Sequence, residues 1–138
     1  MSTHILVVED NKDLAELLKL SLHFYGYEAS IAGDGTEAVK SAIANHPDLI
    51  LMDMMMPNVD GFETTVELRQ HPKTKAIPIL AATALASSRD EEKCLATGCD
   101  GYIAKPFTPR ELAEAIGKLL PTKHRTPKKR ATSATKFS

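Results

Sequence analysis

Short apolar runs alternate with helical patterns five times in the first 120 residues of the chain. The runs are short, rich in aliphatic residues and bounded by turn residues, so they predict buried strands. Strands that alternate with helices in this way form right-handed crossovers and a parallel sheet covered on both faces. Five units are too few for a closed eight-stranded barrel. The pattern therefore predicts an α/β fold with an open, doubly wound, five-stranded parallel sheet. The predicted strands are 5–8, 27–32, 49–53, 77–82 and 101–104.

The helical patterns also predict which side chains face the sheet. In the first helix, Leu14, Leu17, Leu18 and Leu22 recur at helical spacing and are expected on the inner face. In the third helix, Phe62 and Val66 are expected to point inward.

The charge of the chain divides it into two segments. All 18 acidic residues precede Pro121, together with 11 of the 17 Lys and Arg, so residues 1–120 carry −7 and residues 121–138 carry +6. The basic segment is rich in Thr, Ser and Pro, and it is too poor in apolar residues to fold alone. We therefore predict one domain over 1–120, followed by a disordered basic tail over 121–138. Nucleic acid is an improbable partner for so short a run of like charge.

The chain has no apolar stretch long enough for a membrane span. Its first residues run directly into a strand, so we predict no secretory signal, no membrane contact and a cytoplasmic location. Cys94 and Cys99 are expected to be reduced thiols, with a redox pair as the minority interpretation.

Chemically active side chains follow four of the five predicted strands. Glu9 and Asp10 follow the first, Asp53 ends the third, Thr83 follows the fourth and Lys105 follows the fifth. With the strand order 2-1-3-4-5, the carboxyl ends of these four strands are neighbours, and ligands bind at that edge of an open parallel sheet. The sequence thus predicts a crevice that contains three carboxylates, one hydroxyl and one ammonium group.

Three neighbouring carboxylates repel one another, and a hard divalent cation relieves that repulsion. Mg²⁺ prefers oxygen ligands and suits a site with one or two carboxylates plus phosphate oxygens. Lys105 supplies a positive charge for an oxyanion and Thr83 a hydroxyl donor. The combination favours phosphoryl transfer with Asp53 as the nucleophile.

At this point the sequence resembles the receiver domains of bacterial two-component response regulators, over about residues 3–120. The motifs appear in the order and spacing of that family, and their combination is specific. They are Val7-Val8-Glu9-Asp10-Asn11, Leu51-Met52-Asp53 with Pro57 and Gly61, Ala82-Thr83-Ala84, and Gly101-Tyr102-Ile103-Ala104-Lys105-Pro106-Phe107.

The resemblance implies a flavodoxin-like (βα)5 fold and a phosphorylation-controlled signalling switch that is not an enzyme beyond promoting its own phosphorylation and dephosphorylation. Asp53 would accept a phosphoryl group from a sensor histidine kinase or a phosphotransfer protein. The signal would then pass to an unidentified protein through the fourth helix, fifth strand and fifth helix. The residues implied are Glu9, Asp10, Asp53 and the backbone carbonyl of Met55 for Mg²⁺, Thr83 and Lys105 for the phosphoryl oxygens, Thr83 and Tyr102 for the switch, and a cis peptide between Lys105 and Pro106.

The sequence departs from the family pattern in one respect, because the acidic pair is Glu-Asp rather than Asp-Asp. Three other interpretations compete with a stand-alone receiver. A phosphatase-like hydrolase with an aspartyl nucleophile needs a second Asp two positions after the first, where Met55 cannot transfer a proton. A flavin binder needs a Gly- and hydroxyl-rich phosphate loop, and the acids after the first strand have the wrong charge. A receiver cut from a hybrid kinase or another longer chain remains an alternative to a stand-alone regulator.

Overall fold

A computed structural model of the chain describes residues 3–54, 56, 61–84 and 88–120. Within them, strands and helices alternate without interruption. The elements are β1 Thr3–Val8, α1 Lys12–Phe24, β2 Tyr27–Ala32, α2 Gly35–Asn45, β3 Leu49–Asp53, α3 Gly61–Gln70, β4 Ile79–Thr83, α4 Ser88–Thr97, β5 Gly101–Ala104 and α5 Pro109–Leu119.

The five strands form one sheet in the order β2-β1-β3-β4-β5, and all four pairings are parallel. The predicted fold class and strand order are confirmed. Because every strand runs the same way, the carboxyl ends of β1, β3, β4 and β5 lie side by side at one edge. After β1 the chain adds β2 on one side, and it then adds β3, β4 and β5 on the other side. A crevice forms at the carboxyl ends of β1 and β3, where the strand order switches.

The central strands bury both of their faces, which explains their nearly continuous apolar sequences. Alternate residues of β1 and β3 belong to two separate cores. Leu6 and Ile50 pack in the core under α2, α3 and α4, whereas Ile5 and Leu49 pack in the core under α1 and α5.

Side-chain caps fix where three of the helices begin. Asn11 accepts a hydrogen bond from the Leu14 N–H at the start of α1, and Asp34 accepts one from Glu37 at the start of α2. Thr108 and Glu111 form a reciprocal capping box at the start of α5, with Pro109 in the first turn. These caps hold the helix starts next to the edge where the strands end.

The fourth strand begins later than the sequence predicted. It was expected to span 77–82, but β4 covers Ile79–Thr83. Proline has no N–H to donate to a neighbouring strand. Pro78 therefore precedes the strand, and its carbonyl accepts a hydrogen bond from the Ile50 N–H at 2.9 Å.

Two side chains predicted to face inward are exposed instead. Leu17 on α1 is 59% exposed, and Val66 on α3 is 37% exposed. Both lie beside buried residues on the same helix, so helical spacing alone assigned them to the inner arc. Within the described residues, no helix is long and apolar enough to cross a bilayer.

Candidate functional site

Backbone hydrogen bonds carry the sheet pattern one residue past the strand ends, and this positions the polar side chains. The Glu9 N–H donates to Ala32 at 3.0 Å, the Met54 N–H to Ala82 at 3.0 Å and the Lys105 N–H to Thr83 at 2.8 Å. Residues that follow the strands are therefore held as firmly as residues within them.

Three carboxylates meet at this edge of the sheet. One oxygen atom from each of Glu9, Asp10 and Asp53 can be chosen so that all three lie within 4.8 Å of one another. Glu9 is 4% exposed and Asp53 is 6% exposed, while Asp10 lies nearer the surface. The predicted acidic cluster is thus formed by two residues that directly follow β1 and by the last residue of β3, two neighbouring strands of the sheet.

The pKa of the Glu9 carboxyl is raised by its position in this cluster. Burial raises the pKa of the Glu9 carboxyl to about 7, and its hydrogen bond with Asp53 raises the pKa as well. The Asn11 N–H, which donates to Glu9 Oε2 at 3.1 Å, acts in the opposite direction. Near neutral pH, Glu9 therefore keeps a proton that an ordinary glutamate loses.

Lys105 supplies the positive charge on the other side of Asp53. Its Nζ atom lies 3.2 Å from Asp53 Oδ1, and the lysine side chain is 27% exposed. The peptide bond between Lys105 and Pro106 is cis. An ammonium group beside a buried carboxylate can also neutralise oxygens added to that carboxylate.

Thr83 and Tyr102 come from the neighbouring strands β4 and β5. Thr83 is 3% exposed at the end of β4 and pairs with Ala104, whereas Tyr102 is half-buried and pairs with Ala81. The structure therefore brings Glu9, Asp10, Asp53, Thr83 and Lys105 to one edge, and Tyr102 lies in the edge strand that leads to Lys105. Met55, predicted to offer its carbonyl to the metal, lies outside the described residues.

Gly61, the first residue of α3, lies directly against the backbone of Asp53 and Met54. A Cβ atom at this position would lie 2.8 Å from Met54 Cα and 3.0 Å from the Asp53 carbonyl oxygen. Any larger residue would displace backbone next to the acidic cluster, so this close approach requires glycine.

The oxygen cluster fits a hard divalent cation. Its donors are carboxylate oxygens, which are hard ligands, and three of them lie close enough together to share one ion. No comparable group of three potential ligands is found elsewhere in the described part of the chain.

Sequence reasoning missed an apolar groove that opens beside Asp53. The groove has a volume of about 320 Å³ and lies between α1 and the start of α5. Its apolar walls include Leu14, Leu17, Leu18, Phe107 and Leu112. Exposed apolar residues continue along α1, where Leu20 is 65% and Phe24 is 70% exposed. The sequence signal for this groove is the unusual number of leucines in α1, which helical spacing alone does not divide between the core and the surface.

Comparisons with known proteins agree with this geometry. The sequence model of the family described as "Response regulator receiver domain" matches residues 5–117. The polar-differentiation response regulator DivK of Brucella ovis is 38% identical over 116 residues, which cover 84% of this chain and 94% of DivK. The alkaline phosphatase synthesis transcriptional regulatory protein PhoP of Bacillus subtilis is 40% identical over 87% of this chain, but the match covers only 49% of PhoP. The chain spans about half the length of the first curated relatives that it matches.

Solved structures show the same similarity. The chemotaxis protein CheY4 of Vibrio cholerae superposes with a TM-score of 0.82 at 31% identity, covering 87% of this chain and 100% of CheY4. The receiver domain of the sensor histidine kinase PA1611 of Pseudomonas aeruginosa superposes with a TM-score of 0.78 at 37% identity, covering 86% and 98% of the two chains. That structure is described with a magnesium ion coordinated in its active-site cleft.

Proposed function

The chain belongs to the family of response regulator receiver domains, the signalling domains of two-component systems, and from this premise we propose that Asp53 is its phosphoacceptor. The observation that carries the proposal is the pairing of Asp53 Oδ1 with Lys105 Nζ at 3.2 Å inside a cluster of three carboxylates. The phosphodonor is a phosphohistidine on a sensor histidine kinase or a phosphotransfer protein.

Asp53 attacks the phosphorus atom of the donor, so that an oxygen–phosphorus bond forms as the nitrogen–phosphorus bond breaks. The imidazole leaves with the electron pair of the broken bond. Negative charge develops on the phosphoryl oxygens during this step, and the Lys105 ammonium group lies where it stabilises that charge. The Thr83 hydroxyl donates a hydrogen bond to the same group.

Glu9, Asp10 and Asp53 would hold Mg²⁺, together with the backbone carbonyl of Met55. When bound, the ion neutralises charge on the transferring phosphoryl group. Glu9 must give up its proton to serve as a ligand, so metal binding and deprotonation of Glu9 are linked.

The change at Asp53 reaches partners through β4 and β5. Thr83 moves toward the phosphoryl group, and Tyr102 responds by turning inward. The α4, β5 and α5 surface then presents the signal to a downstream protein.

The groove beside Asp53 is the contact site for the phosphodonor. Its apolar surface continues from Leu17 through Leu20 to Phe24 along the outer face of α1. A helix that carries the phosphohistidine can bury this apolar surface while its imidazole reaches Asp53. Exposed apolar residues on one helix face, next to a reactive carboxylate, suit a partner that must align before transfer.

The function is tested with acetyl phosphate, which needs no protein donor. With Mg²⁺ present, the full chain is expected to gain one phosphoryl group by intact mass, located at Asp53 by peptide mapping. Asp53→Asn should gain none, whereas Asp13→Asn, which alters an exposed carboxylate on α1 outside the cluster, should behave as the wild type. Normal uptake by Asp53→Asn would overturn the assignment.

The docking site is tested by comparing two donors. Leu20→Asp should leave acetyl phosphate uptake unchanged, because the residue does not contact Asp53. The same variant should slow transfer from a phosphorylated histidine phosphotransfer protein roughly tenfold or more, as expected when a charge enters an apolar contact. Equal slowing with both donors would contradict a docking role.

A further inference from the structure

Two cysteines lie together at the end of α4, away from the acidic cluster. Cys94 is 0% exposed and Cys99 is 5% exposed, and both are reduced cysteines in the core under α2, α3 and α4. The proposed phosphoryl transfer uses neither of them.

The backbone brings these two residues face to face. The Cys99 N–H donates to the Cys94 carbonyl at 3.0 Å, and the Gly98 N–H donates to the Leu95 carbonyl at 3.1 Å. Gly98 has φ of 116°, in the left-handed region. This is the Schellman pattern of a helix end, in which the side chains of the first and last residues pack against each other.

The separation suits a disulfide. With a 3.0 Å hydrogen bond between the two backbones, ordinary bond lengths place the Cα atoms roughly 5 to 6 Å apart. Disulfides join Cα atoms at about that separation, with a mode near 5.5 to 6 Å.

The surroundings keep these thiols slow to react. Burial, and to a smaller extent the neighbouring Cys94, raise the pKa of the Cys99 thiol to about 11. Hydrogen bonds with Thr65 and Thr97 and the charge of Arg69 act in the opposite direction. Because thiolate is scarce and access is narrow, only a small oxidant is expected to reach the pair.

We propose that Cys94 and Cys99 form a reversible intramolecular disulfide when a hydroperoxide oxidises the protein, and that the bond fixes the last turn of α4 to the start of β5. Cys99, the more exposed of the two, loses its proton and attacks the outer oxygen of the hydroperoxide as a thiolate. The O–O bond breaks, the leaving oxygen takes up a proton and departs as an alcohol or water, and Cys99 becomes a sulfenic acid. Cys94 then attacks the Cys99 sulfur, the S–O bond breaks, and the oxygen leaves as water.

The bond would form near the amino ends of β4 and β5, whereas Asp53 lies at the carboxyl end of β3. Cys99 directly precedes Asp100, whose N–H donates to the carbonyl of Ile79 at the start of β4. Oxidation should therefore restrain the base of α4 without touching the phosphoacceptor. Only its effect on the α4, β5 and α5 signalling surface rests on the proposed function.

The test uses the reduced full chain, hydrogen peroxide, and catalase to end the exposure. Intact mass is expected to show the loss of two hydrogen atoms, a non-reducing digest should link Cys94 to Cys99, and dithiothreitol should reverse the change. Amide hydrogen exchange over residues 97–101 should slow at least twofold in the oxidised protein. Acetyl phosphate uptake at Asp53 should stay within twofold.

Two variants control the chemistry. Cys94→Ala and Cys99→Ala each leave one thiol, so neither should lose two hydrogen atoms, and their melting temperatures show that they are folded. If either alanine variant fails to fold, the corresponding serine variant takes its place.

Several results would overturn the proposal. They are Cys94 and Cys99 thiols that stay reduced under peroxide that fully oxidises added glutathione, stable addition of oxygen to Cys94 or Cys99 in a peptide map of the wild type, or disulfides between chains. The mass readout needs no phosphorylation, so failure here is distinct from failure of the Asp53 assignment.

Discussion

The Lys105–Asp53 pair lies at the carboxyl ends of the strands, and the Arg69–Asp100 pair lies at their amino ends. The two pairs differ in how completely neighbouring groups satisfy their charges and hydrogen bonds. Arg69 donates to the carbonyls of Gly98, Lys75 and Ile77 at 2.8, 3.1 and 2.7 Å, and also binds Asp100. Asp100 in turn accepts from the Ile79 N–H at 2.8 Å. This network satisfies its donors and acceptors and joins α3, β4 and the end of α4.

The edge at Asp53 is arranged in the opposite way. One ammonium group faces a cluster of three carboxylates, two of them buried. Burial and the hydrogen bond with Asp53 raise the pKa of Glu9 in this cluster. A network whose charges and hydrogen bonds are satisfied within the protein contributes to stability. A cluster with more carboxylates than cations can instead bind a cationic ligand. The comparison assigns stability to the Arg69 edge and chemistry to the Asp53 edge.

The largest effect is expected when Lys105 is changed. Lys105→Met should lower the rate of Asp53 phosphorylation by acetyl phosphate about 10²- to 10³-fold, as expected when a preorganised charge is removed from a transition state. Phosphorylation rates at saturating Mg²⁺ measure this. Lys118→Met, which removes an exposed lysine of α5, is the matched control. A loss of less than threefold in Lys105→Met would remove Lys105 from the chemistry.

Changing Arg69 should affect stability instead of rate. Arg69→Met should lower the free energy of unfolding by roughly 2 to 4 kcal/mol, because it strands several acceptors and one carboxylate. Arg110→Met is the control, since its exposed pair with Glu114 contributes less than about 0.5 kcal/mol. Urea unfolding gives both values. Equal losses in the two variants would mean that the Arg69 network contributes no more than a surface pair.

The pH dependence of stability sharpens the comparison further. In the metal-free folded protein Glu9 keeps its proton up to about pH 7, while the unfolded chain loses it near the ordinary value of 4.5. The folded state therefore binds more protons between these values, and the free energy of unfolding should fall as the pH rises through this interval. At pH 8 in EDTA, Glu9→Gln should be more stable than the wild type by roughly 1 to 3 kcal/mol.

The wild type and Glu9→Gln also provide the control at pH 4. Their free energies of unfolding should converge there, because Glu9 of the wild type is largely protonated in both the folded and the unfolded state. Urea unfolding at several pH values gives the curves. If Glu9→Gln showed the same pH dependence as the wild type, deprotonation of Glu9 would not be the cause of the loss of stability.

The smallest effect is expected from removing residues 121–138. Truncation after Leu120 should leave the melting temperature within about 1 °C, because that segment is too poor in apolar residues to contribute a core. Differential scanning calorimetry of the two chains is the measurement. A drop of several degrees would show that the domain extends beyond Leu120.

The sequence was sufficient to predict the fold, and also to predict that the polar residues at the strand ends lie together, because both follow from strand periodicity. In a parallel sheet, residues that end neighbouring strands must meet, so Glu9, Asp53 and Lys105 could be grouped before any distance was known. Pro78 indicated that the fourth strand starts nearby, although the predicted start at residue 77 is two residues before the start of β4 at Ile79.

Helix faces and long-range polar networks were harder to predict. Leu17 has the spacing of a core residue, yet it lines a groove, because the width of the buried arc depends on how closely α5 approaches α1. Arg69 has no sequence pattern that marks it, since its acceptors are mostly backbone carbonyls of distant segments. The raised pKa of Glu9 likewise depends on burial and on the approach of Asp53, which spacing does not provide.

The strand order has a consequence for how the domain assembles. Glu9, Asp53 and Lys105 belong to the beginning, middle and end of the domain, and they meet only after β1, β3, β4 and β5 have docked in register. Such non-local contacts form slowly, because distant segments must be brought together before any contact rewards them. We therefore expect the cluster of Glu9, Asp53 and Lys105 to form late in folding, so that a partly folded chain would lack the site proposed to accept the phosphoryl group.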